Sequence, residues 1–242
     1  RIFMDTKAET VERLTARLTA GMELRGRVRT DAEAMRRRLR LRDWQSARLG
    51  LTHGDLLADP RFHATAQFFL TELYGGADTA KRDADVARVV PIATRLLPLS
   101  GLETVADAVE LDTLSEVLDA EMVEILGDRV DRLDGPSYGA AYRVLGRPAD
   151  RARQIDLVEH IGHALDHLTH HHFAGAALTM MRKPARLAGF GELQTFLEDG
   201  YRAFRKMAGA DEFLELIVTR ERAVMDGLFA GDDTVLTRSW NH

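Results

Sequence analysis

Apolar side chains recur at intervals of three and four residues along almost the whole chain, the spacing that lines one side of a helix. This periodicity predicts helices over about 6–27, 30–58, 61–75, 79–97, 101–110, 113–127, 136–145, 148–172, 174–182, 189–208 and 211–230. Nowhere does strict alternation of β-branched and polar residues persist between turn signals, as a sheet would require. The expected fold class is therefore all-α: a single-domain multi-helix bundle of about nine to eleven helices. A long amino-terminal helical hairpin is expected at 1–58, the bundle core at 59–230, and a partly mobile tail at 231–242 that Trp240 anchors.

Helix starts are marked by the pattern Ser/Thr-x-x-Glu, in which side chain and backbone satisfy each other's unpaired donors. It occurs at Thr6–Glu9, Thr30–Glu33, Ser100–Glu103 and Thr113–Glu116, and each is expected to open a helix. Stops are expected at Asp59-Pro60, Gly75-Gly76, Pro98, Gly127, Gly135-Pro136, Gly146-Arg147-Pro148 and Gly209, with a kink at Pro91.

Charge changes this picture locally. The chain carries a net −5, so as a whole it is not drawn to polyanions, and nucleic acid is not an expected partner. Against that background Arg36-Arg37-Arg38-Leu39-Arg40-Leu41-Arg42 stands out, and is expected to be a solvated face interleaved with core leucines. Only Lys7, Lys81, Lys183 and Lys206 among the 33 basic residues are lysine, a bias that a GC-rich genome would produce. The acids Asp107, Glu110, Asp112, Glu116, Asp119, Glu121 and Glu124 are likewise expected to form a solvated face. There is no cysteine, which removes disulfides, thiolate nucleophiles and cysteine-ligated metals. No apolar run reaches the ~20 residues needed to span a bilayer, and the stretch RIFMDTKAET has no secretory apolar segment. A cytoplasmic location without a membrane partner is expected.

Six of the nine histidines fall between His160 and His172. On a helix, Leu157, Val158, Ile161, Ala164, Leu165 and Leu168 share one arc. His160, His163, His167 and His171 gather on the other side with Asp156 and Glu159. Histidines four apart can bridge one divalent ion, so these four are the candidate metal ligands, at a surface or adventitious site. A hydrolytic zinc site would add His-Glu-x-x-His, and a carboxylate-bridged di-iron bundle Glu-x-x-His on two helices; the chain has neither. No cofactor is expected.

The segment from Leu41 to Met122 carries Phe68-Phe69-Leu70-Thr71-Glu72-Leu73-Tyr74. Around it stand Trp44-Gln45, Asp59-Pro60-Arg61, Arg82-Asp83-x-Asp85, Leu96-Leu97-Pro98 and Glu110-Leu111-Asp112-x-Leu114-Ser115-Glu116. With these motifs, and more faintly with Met181-Arg182 through Phe204-Arg205, the chain resembles a bacterial family named for the motif Phe-Phe-Leu-Glu-Glu-Leu-Tyr. Thr71 replaces the first Glu of that name. The resemblance implies no reaction, substrate or cofactor. Read physically, Phe62, Ala66, Phe69, Leu70 and Leu73 share a core-facing arc, whereas Phe68 points elsewhere with Glu72 beside it. A carboxylate at such an edge needs a partner, and Arg48, Arg82 and Arg88 are the expected ones. Candidate ligand- or partner-binding residues are thus Trp44, Arg48, Glu72, Tyr74, Arg82 and Asp85.

Glycine-rich nucleotide loops and a Gly-x-Ser-x-Gly elbow are absent from the sequence. The expected function is that of a non-catalytic binding or protein-interaction module, self-associating through its amino-terminal helices or bound to a protein partner. The alternative is a small-ligand or metal-dependent enzyme of haem-oxygenase-like type, with a pocket between helices.

Overall fold

A computed structural model describes residues 6–70, 88, 90, 99–171 and 173–240. Among these residues there are ten α-helices and no strand, so the chain is an all-α multi-helix bundle. In chain order they are α1 (Lys7–Thr30), α2 (Ala32–Thr52), α3 (Gly54–Ala58), α4 (His63–Phe68), α5 (Leu99–Leu126), α6 (Gly135–Leu145), α7 (Pro148–Thr169), α8 (Ala174–Leu187), α9 (Gly191–Met207) and α10 (Asp211–Ala230). Short 3-10 turns follow α5 at Gly127–Arg132 and α10 at Asp233–Leu236.

The first predicted capping box forms as written. The Thr6 hydroxyl accepts from the Glu9 amide at 3.3 Å, and the Glu9 carboxylate accepts from the Thr6 amide. The second is taken over by its neighbour, since Asp31 accepts from the amides of Glu33 and Ala34 while Glu33 turns to Arg36 and Arg37. The third lies at the first described residues of α5, and the fourth does not open a helix, because α5 runs unbroken from Leu99 to Leu126. Thr113 is buried and donates instead to the Arg17 carbonyl on α1 at 3.0 Å, while Glu116 is drawn into ion pairs. At this crossing α1 carries Gly21, where an added Cβ would stand 2.8 Å from the Thr113 hydroxyl, so glycine leaves the room in which the Thr113 side chain sits.

Among the described residues three buried clusters fill the bundle. Leu14, Val90, Leu102, Ala106 and Val109 seal α1 to the first half of α5. Leu41, Met122, Leu126, Val130, Tyr138, Tyr142, Val224 and Leu228 hold α2, α5, α6 and α10 together. The largest joins Leu56, Phe62, Phe68 and Phe69 to Val158, Phe204, Met207, Phe213 and Leu214. Phe68 therefore shares the core of Phe62, Ala66 and Phe69, correcting the expectation that it points elsewhere. The helical register loosens to a π turn at Phe69-Leu70, and Phe68 packs on Phe196 of α9 with ring centroids 5.2 Å apart. In the tail Val235 and Leu236 are buried, and Trp240 packs against the cluster to which they belong, as far as the described residues extend.

Phe204 is fully buried in the largest cluster, with its ring 6.1 Å from that of Phe69. Phe204→Ala is expected to destabilise the chain by about 3–5 kcal/mol, read as a lowered urea midpoint at unchanged helical content of the folded baseline.

Candidate functional site

Three groups of polar side chains and one apolar surface are candidates. The first contradicts two sequence expectations. Glu116 is 2 % exposed, and Glu110 and Asp119 are buried as well, so the acids of α5 do not form one solvated face. Nor do the arginines of α2, since Arg38 and Arg42 turn inward onto Glu116, Arg42 at 2.6 Å. Arg42 also reaches Asp119, which takes Gln45 at 3.1 Å, and Arg25 from α1 meets Asp112 at 2.5 Å. Burial works against the Arg42 charge, but Asp119 and Glu116 outweigh it and raise its pKa. The sequence carried the signal: 38, 42, 45 and 112, 116, 119 are spaced four then three, two complementary stripes on two helices. Arg36 and Arg37 stay at the surface on Asp131 and Asp128.

The second group surrounds Trp44 and Arg48. Trp44 stacks on Tyr138 of α6 at 4.4 Å, in the core-edge position usual for an amphipathic ring. Arg48 pairs with Glu221 of α10 at 2.6 Å, and His53 reaches the same carboxylate at 2.9 Å. Burial opposes the Glu221 charge, yet Arg48 and His53 together hold its carboxyl down at about 2. One residue earlier, Arg220 grips Asp55 through both terminal nitrogens at 2.6 and 2.7 Å. Across α6 the buried Arg151 lies over the Tyr142 ring at 4.7 Å and donates to Gln154, which donates to Ser115. Burial pushes the Tyr142 phenol upward, so it stays neutral. None of His53, Arg220, Glu221 or Arg151 was marked by a motif. Glu72, Tyr74, Arg82 and Asp85 lie outside the described residues.

The third group is the histidines. The imidazoles of His160, His163, His167 and His171 are exposed, and of the four only His167 and His171 meet, Nε2 to Nε2 at 3.3 Å with the rings edge-on. His163 faces Asp211 at 3.5 Å. Helix α7 ends at Thr169, three residues short of the predicted end, and His171 closes back toward His167 from the following turn. Among the described residues no three histidines or carboxylates converge as a metal site.

Helix α8 extends to Leu187, past its predicted end at 182, with Pro184 inside it. Its inner side rests on α9. Gly175 lies against Tyr201, the Leu178 carbonyl accepts from Gln194, Arg182 grips Glu198 at 2.7 Å, and Ala185 is buried. Arg182, and Gln194 after it, hold the Glu198 carboxyl at about 2. The outer side is apolar: Phe173 is 84 %, Met180 78 % and Leu187 80 % exposed. Beside this ridge an open groove of about 480 Å³ runs between α8 and α9, lined by Leu178, Met180, Arg182, Tyr201 and Arg205 among others.

Two outcomes follow from the charged groups. Glu116→Ala is expected to destabilise the fold by about 3–5 kcal/mol, because the largely covered Arg38 and Arg42 lose their shared buried carboxylate, whereas Glu33→Ala at the exposed surface should leave the denaturation midpoint nearly unchanged. Chemical denaturation of both variants checks the contrast. Because Glu221 is held below the ordinary glutamate range, the stability it contributes is full above pH ~4.5 and lost as pH falls toward ~2. Glu221→Gln should therefore show a shallower fall in unfolding free energy across that window than the parent chain.

The family model described as "Domain of unknown function (DUF8198)" matches residues 24–235, from the second half of α1 to the last 3-10 turn. No curated protein and no solved structure matches the chain. The matched span takes in the stripes of α2 and α5, the Glu221 cluster and all of α8, and covers most of the chain; the chain belongs to this family.

Proposed function

We propose that the chain is a non-catalytic binding module, and that it works through the outer face of α8. One observation carries this reading. Phe173, Met180 and Leu187 are the most exposed large apolar side chains among the described residues, and they fall seven residues apart at the N-cap, in the middle and at the last residue of a single helix. Scattered apolar residues at a surface need no explanation, but an aligned set does, since a contiguous patch of a few hundred Å² marks an interaction site. Methionine at its centre suits an adaptable contact. The charged groups of α2, α5 and α10 support the same reading from the other direction: their partners are one another, which fits a structural role.

Self-association through the amino-terminal helices draws less support, because the inward faces of α1 and α2 are spent on α5. The enzyme reading keeps one favourable observation. Arg151 is 8 % exposed, and its Nε and one terminal nitrogen find no hydrogen-bond partner among the described residues, which suits a small anionic ligand near Tyr142. No helix among the described residues is long and apolar enough to cross a membrane.

Hydroxyl-radical footprinting tests the binding reading with three samples: the purified chain at about 1 µM, the same chain in an extract of cells that express it, and the chain concentrated several hundredfold. Protection of Phe173, Met180 and Leu187 in either of the last two is the expected result. Equal reactivity in all three would sink it.

A further inference from the structure

Arg25, Arg151 and Arg220 are the buried arginines among the described residues, and two of them meet an acid. Arg25 reaches Asp112 at 2.5 Å, and Arg220 reaches Asp55 at 2.6 Å. Arg151 takes part in no ion pair among the described residues. Acids on the neighbouring turns and helices have other partners: Arg147 holds Glu121 at 2.5 Å and Asp150 at 2.6 Å, Arg222 holds Asp156, and Arg48 with His53 holds Glu221. A buried charge without a counter-charge is costly. Here the cost is higher still, because Arg151 stands one turn inside the start of α7, where the helix dipole adds positive potential of its own. Both effects favour an anion at this place.

The guanidinium is held so that one edge stays unused. Its carbon lies over the Tyr142 ring at 4.7 Å, Nη1 donates to Gln154 at 3.1 Å, and Gln154 donates in turn to the Ser115 hydroxyl on α5 at 2.8 Å. The donors left over are Nε and Nη2, both screened from solvent and without a partner. They lie on the same edge of the planar group, the edge that gives two parallel N–H bonds to the two oxygens of one oxyanion. The Tyr142 ring attracts the charge but accepts nothing from that edge in its plane. We propose that the Nε–Nη2 edge of Arg151 binds the carboxylate of a small organic acid, with Tyr142 as a wall and with Gln154 and Ser115 fixing the guanidinium. One cation balances one negative charge, which selects a carboxylate over a phosphate monoester carrying roughly two near neutral pH. Since both nitrogens are covered, the acid is small, and a neighbouring side chain gives way as it enters. The site is separate from α8 and goes beyond the partner-binding reading.

Acetate tests the site in the full chain. In proton–nitrogen correlation spectra the Arg151 Nε–H resonance is identified by its absence from Arg151→Met and Arg151→Lys. Titration with sodium acetate to about 200 mM, with sodium chloride holding the ionic strength constant, should move that resonance along a saturating curve and raise Tm by about 3 °C or more. Arg151→Lys keeps the charge but lacks the two-donor edge, and Arg151→Met lacks both, so each should lose most of the Tm rise. Arg151→Met removes an unpaired buried charge at similar length, so its circular dichroism should match that of the parent; Arg151→Lys supplies the same comparison with the charge retained. A resonance that acetate leaves unmoved, or a Tm rise of equal size in parent and variants, overturns the proposal. Inorganic phosphate in the same titration separates the two oxyanions. It should move the resonance only at higher concentrations than acetate does, and a phosphate response at lower concentrations overturns the carboxylate as the ligand.

Discussion

The Glu116 carboxylate is the point on which the amino-terminal half of this bundle turns. A lone ionised carboxyl inside a protein costs far more than a hydrophobic contact returns, so its presence is tolerable only where cations reach it in good geometry. Arg38 and Arg42 do so from one helix, and Arg25 stands 4.0 Å away on another. Each element thereby fixes the others: α2 cannot slide along α5 by a turn without stranding a charge, and α1 is keyed to the same place by Thr113 and Gly21. The worth of such a cluster lies less in net stability than in excluding other registers, since apolar stripes alone tolerate a shift of one helical turn at modest cost.

The same arrangement recurs in α10. Its first half enters the aromatic core through Phe213 and Leu214, and its second half enters the other core through Val224 and Leu228. Between them Arg220 and Glu221 bind Asp55, Arg48 and His53 from α2 and α3. Helix α10 is thus a strut whose ends are apolar and whose middle is ionic. The apolar ends supply most of the stabilisation, and the ionic middle fixes which residues of α2 and α3 sit opposite.

The fold was legible because helical periodicity, caps and breakers agree over most of the chain, and ten of the eleven predicted segments correspond in whole or part to described helices, two of them merging into α5, while the segment 79–97 lies almost wholly outside the described residues. Failures arose where tertiary contact outbid a local signal. Thr113 reads as a cap, yet a carbonyl on α1 claims its hydroxyl; Thr30 reads as a cap, yet Asp31 is the stronger acceptor. Charge was the harder matter. A stripe of arginines and a stripe of acids each look solvated when read alone, and only their matched spacing shows that they meet. Exposed Phe173 and Leu187 were passed over for a related reason. A seven-residue seam on one short helix is indistinguishable in sequence from a core-facing one, and only the contacts of Gly175, Leu178, Arg182 and Ala185 with α9 show which side is spent.

The buried cations among the described residues, Arg25, Arg151 and Arg220, are all guanidinium groups. Guanidinium does not give up its proton in any ordinary solution, whereas lysine in the same surroundings readily would. Alkali therefore finds little inside the molecule to discharge. The protein is built lopsided with respect to solvent acidity, its charged joints guarded on one flank by chemistry and open on the other.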